Sequence, residues 1–132
     1  MGVKTTMTRR DLFEWVKEKY QTDAEYPWND WNAVLRHSDN GKWYGVVLEV
    51  KREKLGLPGD GEEDVLNVKC DPVMIGVFRQ QDGFFPAYHM NKEHWISILL
   101  DHPELDGSIK NLLQMSYELT EKNKKAALPK KR

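Results

Sequence analysis

With 132 residues, 39% hydrophobic and 31% charged, the chain has the size and composition of one globular domain around one core. A single cysteine excludes an internal disulfide and a cysteine-based zinc site, and no apolar run approaches the ~20 residues that cross a bilayer. Net charge is −1, but residues 122–132 hold six Lys and Arg and no acid, leaving 14 basic against 21 acidic residues (net −7) in residues 1–121.

The lone thiol and an N-terminus without a secretory apolar region lead us to expect a cytoplasmic protein with no membrane contact. The first element is a helix from Thr8 to about Tyr20. Thr8 can cap it, Asp11 stands three residues on as in a capping box, and Leu12, Phe13, Val16 and Tyr20 share a face. Tyr26 to Trp31 reads as an aromatic turn or short edge strand because it contains Pro27. Ala33 to His37 and Trp43 to Val50 read as strands joined by Asp39-Asn40-Gly41-Lys42, a strong hairpin signal.

Residues 55–64 combine glycine with acid and are expected to form a mobile surface loop. They lack the Lys-Ser/Thr of a phosphate-binding loop. Val65 to Cys70 is the next strand, with Cys70 a buried, inert thiol. Asp71-Pro72 opens a short helix, as N-cap and first turn, with Val73, Met74, Val77 and Phe78 as its buried stripe and Gly83 as its stop. Phe84 to Tyr88 is extended. Trp95 to Leu100 is a short apolar strand, and a last helix runs from about Leu105 to Asn123 with Ile109, Leu112, Leu113, Ser116 and Leu119 toward the core. The expected fold is therefore α+β, an antiparallel sheet of about five strands with N-terminal, short middle and long C-terminal helices. One domain, residues 1–123, is followed by a basic tail, 124–132, expected to be disordered.

Between the last two strands lies Tyr88-His89-Met90-Asn91-Lys92-Glu93-His94-Trp95. Asn91-Lys92 suits a tight turn, since Asn tolerates left-handed backbone. With Val68-Lys69-Cys70-Asp71-Pro72 upstream and Ser116-Tyr117-Glu118-Leu119 downstream, this run resembles the MmcQ/YjbR family over roughly residues 8–121. The resemblance implies a compact α+β fold similar to bacterial frataxin and a DNA-binding role. The acidic ridge with which frataxins hold iron has no counterpart on the first helix here, so iron binding is not carried over.

Double-stranded DNA would be met without sequence preference. Lys92 can neutralise phosphate, Asn91 can bond phosphate or a base edge, and His89 and His94 can do either. Arg36, Lys42, Lys51 and Arg52 would line the hairpin. A structural reading stands beside this one: Tyr88 and Trp95 as core, Asn91 as a turn residue, His89 as a strut. The acidic body counts against a broad DNA interface, whose usual footprint is basic. No catalytic residues, cofactor or metal are expected: no His-x-x-x-His pair exists, and His89 and His94 stand five apart across a turn. The alternatives are a protein- or peptide-binding module using Trp28, Trp31 and Trp43, or a small-molecule enzyme built on His89. A monomer is expected.

Overall fold

The computed structural model describes residues 6–121. Its elements are α1 (Arg9–Tyr20), β1 (Ala33–Arg36), β2 (Trp43–Lys51), a 3-10 turn (Arg52–Leu55), β3 (Glu62–Lys69), α2 (Pro72–Phe78), β4 (Phe84–Pro86), β5 (Trp95–Leu99), a second 3-10 turn (Pro103–Leu105) and α3 (Asp106–Leu119). The five strands form one sheet in the order β1-β2-β3-β5-β4, every neighbouring pair antiparallel. This is the α+β architecture predicted. Because β3 and β4 both oppose β5, they run parallel to each other, and α2 supplies the crossover that parallel strands require.

The predicted cap of α1 is present. The Asp11 amide donates to Thr8 Oγ1 at 3.2 Å and the Thr8 amide to the Asp11 carboxylate at 3.1 Å, satisfying two helix-start donors at once. The helix stops at Gln21, which is left-handed with φ 55°. Met7 ties its start to the rest of the chain, donating to Asp106 Oδ1 at 2.9 Å and accepting from the Asp101 amide at 2.9 Å.

Register places Val47 opposite Leu66, and Leu66 opposite Ile98, so these three share a face of the sheet. Leu113 of α3 packs there. A Cβ on Gly45 would stand 3.1 Å from Leu35 Cδ1 and 3.2 Å from Leu113 Cδ1, closer than side chains normally approach, so a bare α-carbon lets helix and sheet meet. Ile109, Leu112, Leu113 and Ser116 are buried as predicted, and so is Cys70.

Three expectations need correction. Three of the four residues assigned to the buried stripe of α2 face outward: Val73 is 79% and Val77 52% exposed, and Met74 is exposed too, whereas Phe78 packs partly buried against the core as assigned and Ile75 is buried beside it. Apolar residues surround this two-turn helix, so periodicity could not show that Ile75, rather than Val73, Met74 and Val77, joins Phe78 on the core side. The acidic loop ends early, because β3 begins at Glu62 and the acids Glu62, Glu63 and Asp64 pair with Lys51, Val50 and Glu49 of β2. Arg9 pairs with Asp64 and Arg52 with Glu63, which lets these acids sit in a strand. Leu119 closes α3 half exposed rather than in the core. The tail from residue 124, and the helix end expected at Asn123, lie outside the described residues.

Candidate functional site

The motif run folds as two tight turns between β4 and β5. A closed ring of buried hydrogen bonds holds it. The Asn67 side-chain amide donates to Tyr88 O at 2.9 Å, the Tyr88 amide donates to Ser97 Oγ at 3.1 Å, and the Ser97 hydroxyl donates to Asn67 Oδ1. Asn67 and Ser97 are fully buried and opposite each other in the ladder, so each polar group needs the other. Asn91 is a cap: its Oδ1 accepts from the Glu93 amide at 2.8 Å and its carbonyl from the Trp95 amide at 3.0 Å. The left-handed residue is His89, with φ 61°, not Asn91 as the turn chemistry suggested. Its ring lies 4.1 Å from that of Tyr88. His89, Asn91, Lys92 and His94 are all exposed, while Tyr88 and Trp95 are half-buried.

The eight predicted contacts do not form one surface. Strand order sets β5 two places from β2, about 10 Å away, and pairing sets Trp95 at the same sheet end as Lys69 and Tyr44. The motif turn therefore shares an end with Arg36 and Lys42. Lys51 and Arg52 lie at the far end of the nine-residue strand β2, about 30 Å off. Two of the arginines are already engaged. Arg36 Nε bonds both Glu25 oxygens at 3.0 and 2.9 Å, and Arg52 pairs with Glu63 and donates to Pro58 O. Lys42, Lys51 and Lys92 are exposed, and no ion pair among the described residues includes them.

Arg9 was not singled out by sequence. Only 7% exposed, it grips Asp64 through two nitrogens at 3.1 and 3.0 Å, donates to Trp31 O, and lies 4.4 Å from the Trp31 ring centroid. Glu63 beside it also accepts His102 Nε2 at 3.0 Å. Trp31 is thus immobilised from beneath yet 55% exposed. Tyr26, in the same groove, is exposed as well, and so are Trp28 and Trp43 toward the Arg36 end of β1 and β2. Trp28 stands perpendicular to Trp43 with centroids 5.9 Å apart. An open groove of about 1040 Å³ runs between this edge and α1, walled by Phe13, Trp15, Tyr26 and Trp31. Glu25 bridges to Val34 and so covers the outer edge of β1.

A second cluster fills the sheet end below the hairpin. The rings of Tyr20 and Tyr117 stack at 3.9 Å, and Tyr44 and His37 close on Tyr117 at 4.8 and 4.2 Å. His37 is buried. Its Nε2 lies 2.7 Å from Thr120 Oγ1, whose single proton has the Ser116 carbonyl as acceptor at 2.9 Å, so the imidazole is the donor. Burial pushes the His37 pKa below 6.5, against the opposing pull of Asp39, and the ring is neutral at pH 7. Burial likewise pushes the Tyr20 hydroxyl up to about 12, with Tyr117, Glu118 and Glu121 adding to the shift. No group of three or more His, Cys, Asp or Glu converges as metal ligands among the described residues. No helix among them is long and apolar enough to cross a membrane.

This fold, with its motif turn between β4 and β5, is that of the YjbR family. The YjbR family model matches residues 7–119, and the chain belongs to that family. It is 49% identical over 116 residues to the uncharacterized protein YyaQ of Bacillus subtilis (strain 168), covering 86% of this chain and 98% of YyaQ. Similarity to the uncharacterized protein YbdF of Escherichia coli O157:H7 is 30% over 77 residues, 57% of each chain. A crystal structure of a Pseudomonas syringae protein superposes with a TM-score of 0.83 at 41% identity, over 87% of this chain and all of that one. Deinococcus radiodurans DR2400, at 24% identity and TM-score 0.68 over 90% of this chain and 82% of its own, shares the fold.

Proposed function

We propose that this chain is a non-catalytic binding domain whose aromatic edge docks an extended, apolar segment of a partner protein. One observation carries the reading. Trp31 is exposed but fixed by a buried arginine, Tyr26 lines the same groove, and the exposed Trp28–Trp43 pair continues the aromatic surface toward the other end of β1 and β2. Each such side chain offers roughly 150–250 Å². With about half of each in solvent, the edge presents on the order of 400 Å² of aromatic surface, the scale at which patches mark interaction sites. Rigid, pre-positioned tryptophans bind without the entropic cost of ordering flexible side chains.

Panning a displayed peptide library on the full chain tests this. Enriched peptides should lose roughly tenfold or more in affinity for Trp31→Ala or Trp28→Ala. Enrichment that survives both substitutions refutes the assignment.

DNA binding, implied by the family resemblance, is the second reading. The motif turn and Lys42 share one sheet end, and His89, Asn91, Lys92 and His94 are solvent-facing there. The interface would be confined to that end, without Lys51 and Arg52. Fluorescence anisotropy of a labelled random duplex, at about 50 and about 200 mM salt, separates the possibilities. Salt-sensitive binding by residues 1–121, weakened by Lys92→Ala, supports a site on the folded body. Binding by residues 1–132 alone assigns it to the basic tail.

A further inference from the structure

The turn joining β1 to β2 holds a reactive pair that neither the aromatic edge nor the motif turn uses. Asn40 is the only asparagine in the chain followed by glycine. Glycine has no side chain to shield its amide nitrogen from the residue before it. Asn40 and Gly41 are both half-buried, so water reaches them. A Cβ on Gly41 would meet only Nη1 of Arg36, at 3.8 Å, so the space around this backbone is open.

The Asn40 side chain is held at both of its polar atoms. Its Oδ1 accepts from the Lys42 amide at 2.7 Å, and its Nδ2 donates to the Thr120 carbonyl at 2.8 Å. Thr120 is the C-cap of α3, and its hydroxyl is tied in turn to His37 at 2.7 Å. The bond to Oδ1 polarises the side-chain carbonyl and stabilises negative charge developing there. The bond from Nδ2 holds against α3 the group that would have to leave. The Gly41 amide, the nearest nucleophile in the chain, donates to His37 O at 3.0 Å. One contact therefore activates the pair and two restrain it.

We propose that Asn40 is a self-modification site: the chain deamidates there, and the contact with α3 sets the rate. Gly41 gives up its amide proton and its nitrogen attacks Cγ of Asn40. The N–Cγ bond forms, the Cγ–Nδ2 bond breaks, and Nδ2 departs with that proton as ammonia. The cyclic imide left behind takes up one solvent water, which opens it at either carbonyl. One opening gives aspartate, the other isoaspartate, and no electrons are exchanged with any other group. Aspartate puts a carboxylate where an amide had donated to the Thr120 carbonyl. Isoaspartate lengthens the backbone of the turn. Both outcomes detach the hairpin from the end of α3. The reaction needs neither the aromatic edge nor DNA.

The test is incubation of the full chain at mildly alkaline pH, followed by tryptic mapping with mass detection. Cleavage after Arg36 and Lys42 isolates Asn40 in the fragment 37–42, and a free peptide of that sequence is the unrestrained reference. Asp60-Gly61, Asp82-Gly83 and Asp106-Gly107 isomerise without a change of mass, so a mass gain reports asparagine alone. Fragment 37–42 should gain mass before any other. It should do so roughly ten- to a hundredfold more slowly than the free peptide, because two hydrogen bonds must open first. Thr120→Ala cuts the tie between the end of α3 and His37 and should speed the reaction at least about threefold, with circular dichroism verifying the fold. Asn40→Asp, the sequence of one product, should shift the amide NMR signals of residues 117–121 and hasten hydrogen exchange at Thr120. A rate equal to that of the free peptide, or no mass gain after more than about a hundred of its half-lives, would overturn the assignment. So would an unchanged rate in folded Thr120→Ala, or residues 117–121 left undisturbed by Asn40→Asp.

Discussion

The two ends of the sheet are held by opposite chemistry. At the end where α1 begins, charge does the holding, Arg9 to Asp64 and Arg52 to Glu63, with His102 hydrogen-bonded to the same Glu63. At the other end the bonds are neutral: Asn67 and Ser97 to Tyr88, Ser116 to Tyr44 and Lys69, His37 to Thr120. The aromatic edge hangs on the charged end through Trp31, and the motif turn on the neutral end through Tyr88. Each exposed surface has a buried anchor of its own, so either can be loosened while the other stays in place.

The largest effect expected is at the neutral end. Asn67→Ala removes the amide that closes the ring, leaving the Tyr88 carbonyl and the Ser97 hydroxyl buried without it. A loss of about 3 kcal/mol should appear in urea melts, and at high salt it should be the same size. A loss below about 1 kcal/mol would mean that water replaces Asn67 and that the ring is not the anchor.

Arg9→Met keeps apolar bulk at the charged end but abandons Asp64. Asp64 is partly exposed, with 26% of its side chain in solvent, so the expected cost is about 2 kcal/mol, less than for a fully buried pair. Trp31 should become more accessible to acrylamide quenching, and amide shifts in the motif turn should not move. Shifts in residues 88–95 would break the idea that the two ends are independent.

His37 is a titrating group within the neutral end. Burial lowers its folded pKa below the 6.5 of the unfolded chain, so in acid the unfolded state takes up the proton first. Its contribution to stability is therefore complete above pH 6.5 and is lost as pH falls through the folded value. Replacing it by Gln, which can still donate to Thr120 but does not titrate there, should flatten the stability profile in that window. An unchanged profile would assign the dependence elsewhere.

Tyr20→Phe gives the smallest change, and with the opposite sign. Deleting a buried hydroxyl without a partner should raise stability by about 1 kcal/mol. A loss instead would show that the hydroxyl is satisfied in solution.

Much of the fold was legible in the chain. The Thr8–Asp11 box, the Asn40-Gly41 turn and the Asp71-Pro72 helix start are local signals, and local chemistry decides them. What escaped was long-range. Arg9 pairs across 55 positions, and nothing near it in sequence marks it as buried. Arg36 and Arg52 look like free cations in a linear reading because Glu25 and Glu63 stand 11 residues away. The motif residues were visible as a pattern, but the pattern did not show that Asn67 and Ser97 support them. Val73, Met74 and Val77 were misplaced because an apolar residue on a short helix has no preferred side until its neighbours are known.

Ser116 places one hydroxyl between two strands, donating to Tyr44 O at 2.7 Å and accepting from the Lys69 amide at 2.9 Å. A helix side chain thus occupies a rung of the β2–β3 ladder. The amide proton of Lys69 cannot meet solvent while α3 stays docked, and α3 cannot lift without opening that rung. Hydrogen exchange at one strand position therefore reads the attachment of the last helix, and the two unfold as one cooperative unit.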